Sequence, residues 1–214
     1  MVEETGLMAE TLITLIAAHI LADFLLQTRS MVENKARIVV LLVHVAIVTA
    51  LSAMFLGAFD IPILSIIAVS HFAFDYIKQT YTSKNLTAFL ADQIAHMAVI
   101  LFIAGVFPSA YAGGVWPQYL SASGEALYFL IIILVAGIIV TTQIGGLIIG
   151  WLIKPLSQAE AENAVIGLPG GGTYIGWLER FIVLMLVLTG NAAGIGFLIT
   201  AKSILRFGDI NSNA

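Results

Sequence analysis

The sequence predicts an all-α membrane protein, a polytopic bundle of bilayer-crossing helices. Of its 214 residues, 60% are apolar and only 10% are charged, and the mean hydropathy is +1.02. Water-soluble domains are far more polar than this, and several apolar runs reach the roughly 18 to 20 residues that span a bilayer. Few residues remain outside these runs, so we expect residues 1–214 to form one integral membrane domain.

Charged residues, glycine and proline set the limits of the first four spans. The first apolar run begins after Glu10 and ends at Arg29, and a turn at Asp60 and Pro62 separates the second run from the third. Such residues break apolar helices or must stay in contact with water. The predicted spans cover about residues 11–28, 38–57, 62–79 and 86–107.

The C-terminal helices, at about 126–207, are less regular. The run at about 126–153 contains Gly146 and Gly150, whose spacing lets two helices approach closely. The glycine-rich stretch 167–172 lacks the lysine of a phosphate-binding P-loop. We therefore interpret that stretch as a flexible linker.

Lysine and arginine are distributed asymmetrically between the loops. With five spans before the last run, the basic residues of the short loops all fall on one side of the membrane, which the positive-inside rule makes cytoplasmic. We therefore expect a multi-pass protein of the bacterial inner membrane with its N-terminus outside. The acidic start is unlike a signal peptide, so we expect the first run to be retained. These basic residues are Arg29, Lys35, Arg37, Lys78, Lys84, Lys154 and Arg180.

The last apolar run, 176–207, is interrupted by Gly190-Asn191. As a sixth plain span it would carry Lys202 and Arg206 to the outside, against the distribution of the other basic residues. A re-entrant hairpin turning at Gly190-Asn191 would return both to the cytoplasmic side. Six spans, or five spans plus this hairpin, are the two predictions, and we favour the hairpin.

A polar motif occurs twice in the first four spans. His19, Asp23 and Gln27 recur 52 residues later as His71, Asp75 and Gln79, and His44 recurs at the same offset as His96. Positions i, i+4 and i+8 share one face of a helix. The pattern indicates an internal two-helix repeat, about 11–57 and 61–107, whose copies enter the membrane in the same direction with a symmetry axis along its normal.

The repeated residues favour a metal site that opens towards the cytoplasm. The helix rise puts His19 and His44 roughly 13 to 15 Å below the cytoplasmic boundary, where ionisable side chains are costly and usually functional. We expect no lysine or arginine at that depth in the first four spans, so the carboxylates must be protonated or bind a cation. Imidazole and carboxylate ligands suit Zn first, with Mn or Fe as alternatives. The predicted ligands of one or two ions are His19, Asp23, His44, His71, Asp75 and His96.

Other polar residues are candidates for catalysis or substrate binding. Asp92 and Gln93 have apolar counterparts in the first copy, and Asp92 precedes His96 by one turn, so we predict catalytic roles for both. Gln27 and Gln79 are candidate substrate-binding residues, or simply helix-end amides that meet water. Glu179 and Arg180 form a surface or interhelical ion pair in the simplest interpretation, with a substrate contact at the cytoplasmic mouth as the alternative.

These motifs resemble a family of small bacterial inner-membrane proteins known only as a domain of unknown function. The resemblance covers most of the chain apart from about 105–160 and implies no activity, because the family has none established. Its matching pieces are His19 to Gln27 with Met31 and Lys35, His44, His71 to Lys78, Asp92-Gln93 with His96, Ile175 to Arg180, and Ala201 to Phe207.

The leading functional hypothesis is a metal-dependent membrane hydrolase or related lipid-acting enzyme, with membrane lipids as partners and a lipid or small molecule as substrate. A small transporter, or a metal or proton pathway, is the main alternative, and a structural or partner-binding membrane protein is the second. Haem ligation fits less well, because all four histidines lie at similar depth. The absence of cysteine excludes disulfides and thiolate sites. No feature indicates nucleic acid, and a homo-oligomer stays open.

Overall fold

The computed structural model describes residues 2–82, 85–160 and 171–212, and every regular element in these ranges is a helix. Six helices are long and apolar enough to cross a membrane, which confirms the predicted fold class. Residues 161–170, with most of the predicted glycine-rich linker, lie outside the described part of the chain. The candidate spans are Glu4–Leu26, Ile38–Leu56, Ile61–Tyr81, Leu86–Val106, Ala122–Ile153 and Gly171–Leu188.

The helix boundaries follow local capping chemistry. The side-chain oxygens of Asp60 and Asn85 accept the amides of Ile63 and Ala88 and so start two of the spans. The helices are α1 (Val2–Ile20, continued by a π-helical turn, Leu21–Leu26), α2 (Arg29–Asn34), α3 (Ile38–Leu56), α4 (Ile61–Tyr81), α5 (Leu86–Val106), α6 (Trp116–Tyr119), α7 (Ala122–Ile139, continued by a π-helical turn, Val140–Ile144), α8 (Gly145–Glu160), α9 (Gly171–Leu188) and α10 (Ala192–Ser212).

The first helix differs from its prediction in one respect. We expected it to begin after Glu10, but α1 begins at Val2 and carries Glu10 within it. Glutamate is a good helix former and is favourable near a helix N-terminus, so an acidic start extends this helix instead of delaying it.

Four helices form a ring around the predicted site. α1 packs against α3 and α5, and α4 packs against the same two, so α1 and α4 lie on opposite sides of the ring. α7 packs on the outer side of α1, which makes α1 the most buried span of the protein. The 52-residue repeat stays a prediction from the sequence.

One end of the ring is closed by residues 107–121, and we call it the capped end. The Thr11 hydroxyl donates to the Pro108 carbonyl at 2.8 Å and accepts the Tyr111 amide at 3.1 Å. Tyr111 of this loop is fully buried, and the Trp116 indole donates to the Met54 carbonyl at 2.8 Å. The opposite end, which carries α2, Lys35 and Lys78, is called the basic end.

α9 and α10 form a hairpin that turns at Gly190, where φ is +68°. A positive φ is readily adopted only by glycine, so this residue lets the chain reverse. Lys202 pairs with Glu179 across the hairpin. Residues 176–207 are therefore not one straight span, and Lys202 returns to the level of Glu179.

Candidate metal centre

Each helix of the ring contributes buried polar side chains at one level. α1 and its π-helical turn carry His19 and Asp23, α4 carries His71 and Asp75, α3 carries His44, and α5 carries Asp92 and His96. All seven side chains are at most 7% exposed. We call these seven residues the His/Asp centre.

Four ligand atoms converge at the middle of the centre. The Nε2 atoms of His44 and His71 are 3.0 Å apart. Asp23 Oδ1 lies 3.3 Å from the first nitrogen and 3.5 Å from the second, and Asp75 Oδ2 lies 3.5 Å from each. We call these four atoms the central donors.

Three of the central donors, those of His44, His71 and Asp75, lie within 4.8 Å of one another and could together hold a metal ion. Around a tetrahedral ion with bonds of about 2.0 to 2.1 Å, neighbouring ligand atoms lie about 3.3 Å apart. The distances within this group are 3.0, 3.5 and 3.5 Å, and Asp23 Oδ1 lies at similar distances from the two imidazole nitrogens. Two imidazole nitrogens facing each other at 3.0 Å also require a shared proton or a cation between their lone pairs.

His19 lies beside the central donors and is oriented by Gln93. Its Nδ1 is 3.8 Å from Asp23 Oδ1, and its Nε2 is 3.3 Å from the side-chain oxygen of Gln93. The amide nitrogen of Gln93 in turn donates to Asp92 Oδ2 at 3.2 Å. With Nε2 donating to Gln93, the lone pair of Nδ1 faces Asp23, the arrangement that second-shell partners impose on metal-binding histidines.

His96 is held in one orientation by the backbone of its own helix. Its Nδ1 donates to the Asp92 carbonyl at 2.8 Å, and its ring centroid is 4.2 Å from that of His71. Its other nitrogen, Nε2, is buried and has no hydrogen-bond partner among the described residues. His96 therefore presents an unused proton acceptor inside the centre.

Two lysines correct the expectation that no cation reaches the carboxylates. Lys35 Nζ is 2.6 Å from Asp75 Oδ2, and Lys78 Nζ is 2.5 Å from Asp92 Oδ2. Both lysines start at the basic end, and their long apolar stems carry the ammonium groups inwards. Asp23 has no such partner within the described residues, since its neighbours are the three imidazoles.

The centre opens at the basic end into a cavity of about 210 Å³, which we call the mouth. Asp75, Lys35 and Lys78 line its inner wall. The predicted substrate-binding residues Gln27 and Gln79 both lie there, as do Asn85 and Trp151.

Towards the capped end the centre meets only a small cavity, of about 20 Å³. Ser52 and Ser70 line it together with core residues such as Val48 and Ile67. This volume holds about one water molecule.

Glu179 and Arg180 lie apart from the His/Asp centre and do not pair with each other. Glu179 pairs with Lys202, and Arg180 donates from Nε to the Thr142 carbonyl at 3.2 Å. That carbonyl belongs to the π-helical turn Val140–Ile144, and such turns are frequent at functional sites.

The sequence did not predict that Lys35 and Lys78 pair with buried carboxylates, or that Trp151 lines the mouth. Lys78 follows Asp75 by three residues, which indicates that it shares the inward face of α4, but its partner Asp92 lies on α5 and could not be identified from this spacing. No sequence pattern indicated a role for Lys35 or Trp151. Each is far in sequence from the residues beside it in the structure, so these contacts depend on tertiary packing.

A family described as "Protein of unknown function (DUF3307)" matches residues 11–119. The match contains all seven residues of the His/Asp centre and all but the last two residues of the loop 107–121, and it ends before α7. Neither the curated proteins nor the solved structures include a match to the chain.

Proposed function

The chain belongs to the DUF3307 family of proteins of unknown function, and we propose that its His/Asp centre binds a divalent metal ion and hydrolyses a lipid or lipid-like substrate. The observation that carries this proposal is the set of central donors, in which those of His44, His71 and Asp75 lie 3.0 to 3.5 Å apart and Asp23 Oδ1 lies beside both imidazoles. Two imidazole nitrogens and two carboxylate oxygens favour Zn, with Mn and Fe as alternatives.

The charges of the centre support a bound cation. Asp23, Asp75 and Asp92 bring three carboxylates, and among the described side chains Lys35 and Lys78 are the cations that pair with them. The one carboxylate without a lysine, Asp23, is the one surrounded by three imidazoles. Asp75 Oδ2 can accept a hydrogen bond from Lys35 with one lone pair and bind an ion with another. Metal-binding carboxylates are commonly hydrogen-bonded in this way.

The remaining polar groups support hydrolysis. A bound divalent ion would lower the pKa of its water towards neutrality and so supply hydroxide at physiological pH. His96 Nε2 is the available proton acceptor, and its backbone bond to Asp92 fixes the ring. Gln93 orients His19 and links it to Asp92.

One-sided access favours an enzyme over a carrier. The mouth leads from the basic end to Asp75, whereas the capped end is packed with buried side chains that include Leu15, Leu56, Ile103 and Tyr111. A carrier requires a polar route to both faces, while an enzyme requires only one. By the distribution of basic residues, the basic end faces the cytoplasm in this proposal.

Metal content of the detergent-purified protein tests the proposal. We expect about one equivalent of Zn, Mn or Fe in the wild type by inductively coupled plasma mass spectrometry, and at least a fivefold loss in Asp23→Asn and His44→Gln. Asp60→Asn is the matched control, because it removes a carboxylate at the capped end and keeps a capping side chain. Chelation should abolish lipid hydrolysis and metal should restore it.

If folded wild-type protein contains no metal after growth with Zn, Mn and Fe, the proposed metal centre is refuted. The 3.0 Å approach of His44 and His71 would then be a shared proton, and the transport alternative would be tested by proton flux in liposomes. Metal without hydrolysis of any lipid class would refute the enzyme and leave metal binding in place.

A further inference from the structure

A second cavity lies between α8 and α9, outside the His/Asp centre. Its volume is about 630 Å³, within the range of pockets that hold small molecules. It is lined by Gln143, Gly146, Gly150, Trp151, Trp177 and Arg180, and we call it the α8/α9 groove.

Arg180 is the only charged residue that lines the α8/α9 groove among the described side chains. Glycines make room for its guanidinium: a Cβ on Gly146 would lie 2.8 Å from Nη2, and one on Gly176 would lie 3.1 Å from Nη1. Its Nε is fixed on the Thr142 carbonyl, and no described carboxylate forms an ion pair with it. A guanidinium held in this way offers its outer N–H groups to a phosphate as a two-pronged donor.

The groove opens towards lipid at the depth of the headgroups. No residue of α9 is buried, so its apolar side chains face the bilayer. From the start of α7 to Thr142 the helix rises about 30 Å, the thickness of the hydrocarbon core. Arg180 therefore lies at the membrane boundary, and Trp151 and Trp177 are residues that prefer this interface.

We infer that the α8/α9 groove binds a membrane phospholipid, with the Arg180 guanidinium on the phosphate, the polar headgroup along Gly146, Gly150 and Trp177, and the glycerol and acyl chains on the bilayer side of Arg180. The volume accommodates a headgroup and the start of the chains, and the rest of the chains extend into the bilayer. Because Trp151 lines both the groove and the mouth, the bound headgroup lies next to the entrance of the His/Asp centre. The inference concerns binding and does not depend on metal or hydrolysis.

Native mass spectrometry of the detergent-purified full chain tests the inference with dioleoyl phosphatidic acid. Dioleoylglycerol has the same chains without the phosphate, and glycerol 3-phosphate has the phosphate without the chains. We expect both comparison ligands to bind at least tenfold more weakly. Arg180→Gln should weaken phosphatidic acid binding about tenfold, while Arg29→Gln, which removes an exposed cation from the same end, should not change it.

A second variant keeps the test valid if loss of Arg180 disturbs folding. A Cβ on Gly150 meets no atom within 4 Å, so Gly150→Leu begins from an unstrained position and adds its side chain to the wall of the groove. It should also weaken phosphatidic acid binding about tenfold. Unchanged binding in Gly150→Leu, or glycerol 3-phosphate binding as tightly as the lipid, would overturn the inference.

Discussion

Buried carboxylates and the cations that reach them define the His/Asp centre at the scale of single residues. Asp75 is 2% exposed and lies 2.6 Å from the Lys35 ammonium, whose side chain is 11% exposed. Breaking such a pair leaves an uncompensated buried charge, while removing both partners does not. The two Lys–Asp pairs therefore hold the basic end of α4 against the turn between α2 and α3 and against α5, and they set the local charge of the centre.

We predict that Lys35→Met destabilises the protein by about 3 kcal/mol, because Asp75 loses its counterion. This should lower the thermal unfolding midpoint in detergent by about 6 to 12 °C. The double variant Lys35→Met/Asp75→Leu should recover most of the loss. Arg29→Met is the control, because Arg29 and its partner Glu33 are solvent-exposed and such pairs contribute little. Equal midpoints for Lys35→Met and Arg29→Met would contradict a structural role for the pair.

Irregular segments shape the access routes at the scale of elements. The π-helical turn at Leu21–Leu26 carries Asp23 into the centre, and the one at Val140–Ile144 provides the carbonyl that holds Arg180. The loop at 107–121 closes the capped end through backbone contacts with the turn after α3. Val115 N donates to the Gly57 carbonyl at 2.9 Å, so this closure depends on close approach of two backbones.

We predict that Gly114→Ala opens the capped end. A Cβ at Gly114 would lie 2.1 Å from the Leu56 carbonyl oxygen, and backbone on both sides leaves it no space. The variant should lose at least about 2 kcal/mol of stability, seen as a midpoint about 4 to 8 °C lower.

The neighbouring Gly113→Ala is the matched control for this prediction. Its Cβ would lie 3.4 Å from the nearest atom, the Ser109 carbonyl oxygen, so we expect a change within about 0.5 kcal/mol. Similar midpoints for the two alanine variants would show that the capped end does not depend on this backbone contact.

The two ends of the whole molecule differ in charge and in closure. The basic end carries the mouth, Arg29, Lys35 and Lys78, while the capped end is sealed by a loop rich in aromatic residues. The α9/α10 hairpin extends about 16 Å from Arg180 to its tip, about half the hydrocarbon thickness. Since Gly171–Leu188 as a whole is long and apolar enough to cross a membrane, the re-entrant hairpin and the full crossing both stay predictions.

Single cysteines test this orientation directly, because the chain contains none of its own. In intact cells an impermeant thiol reagent should label Tyr119→Cys at the capped end and should label Arg29→Cys only after permeabilisation. Thr189→Cys, beside the hairpin tip, should stay unlabelled from both sides until the membrane is dissolved. Labelling of Arg29→Cys in intact cells would reverse the orientation, and labelling of Thr189→Cys there would make the hairpin a full crossing.

The sequence by itself determined the all-α membrane fold, the limits of the first four spans to within a few residues except for the start of the first, and the helix faces that carry His19, His71 and their aspartates. These features depend on hydropathy, capping residues and helical periodicity, which are local and can be read along the chain. α1 begins before its predicted start because Glu10, although charged, is a good helix former and lies within the helix.

Only the tertiary structure decided which groups meet. These contacts depend on the rotation of each helix about its axis and on side-chain conformation. They include the approach of His44 to His71, the pairing of Lys35 with Asp75, and the contact of Gln93 with His19. Those quantities follow from packing between residues far apart in sequence, and no local pattern encodes them. For the same reason the closure of the capped end and the α8/α9 groove are properties of the assembled bundle alone.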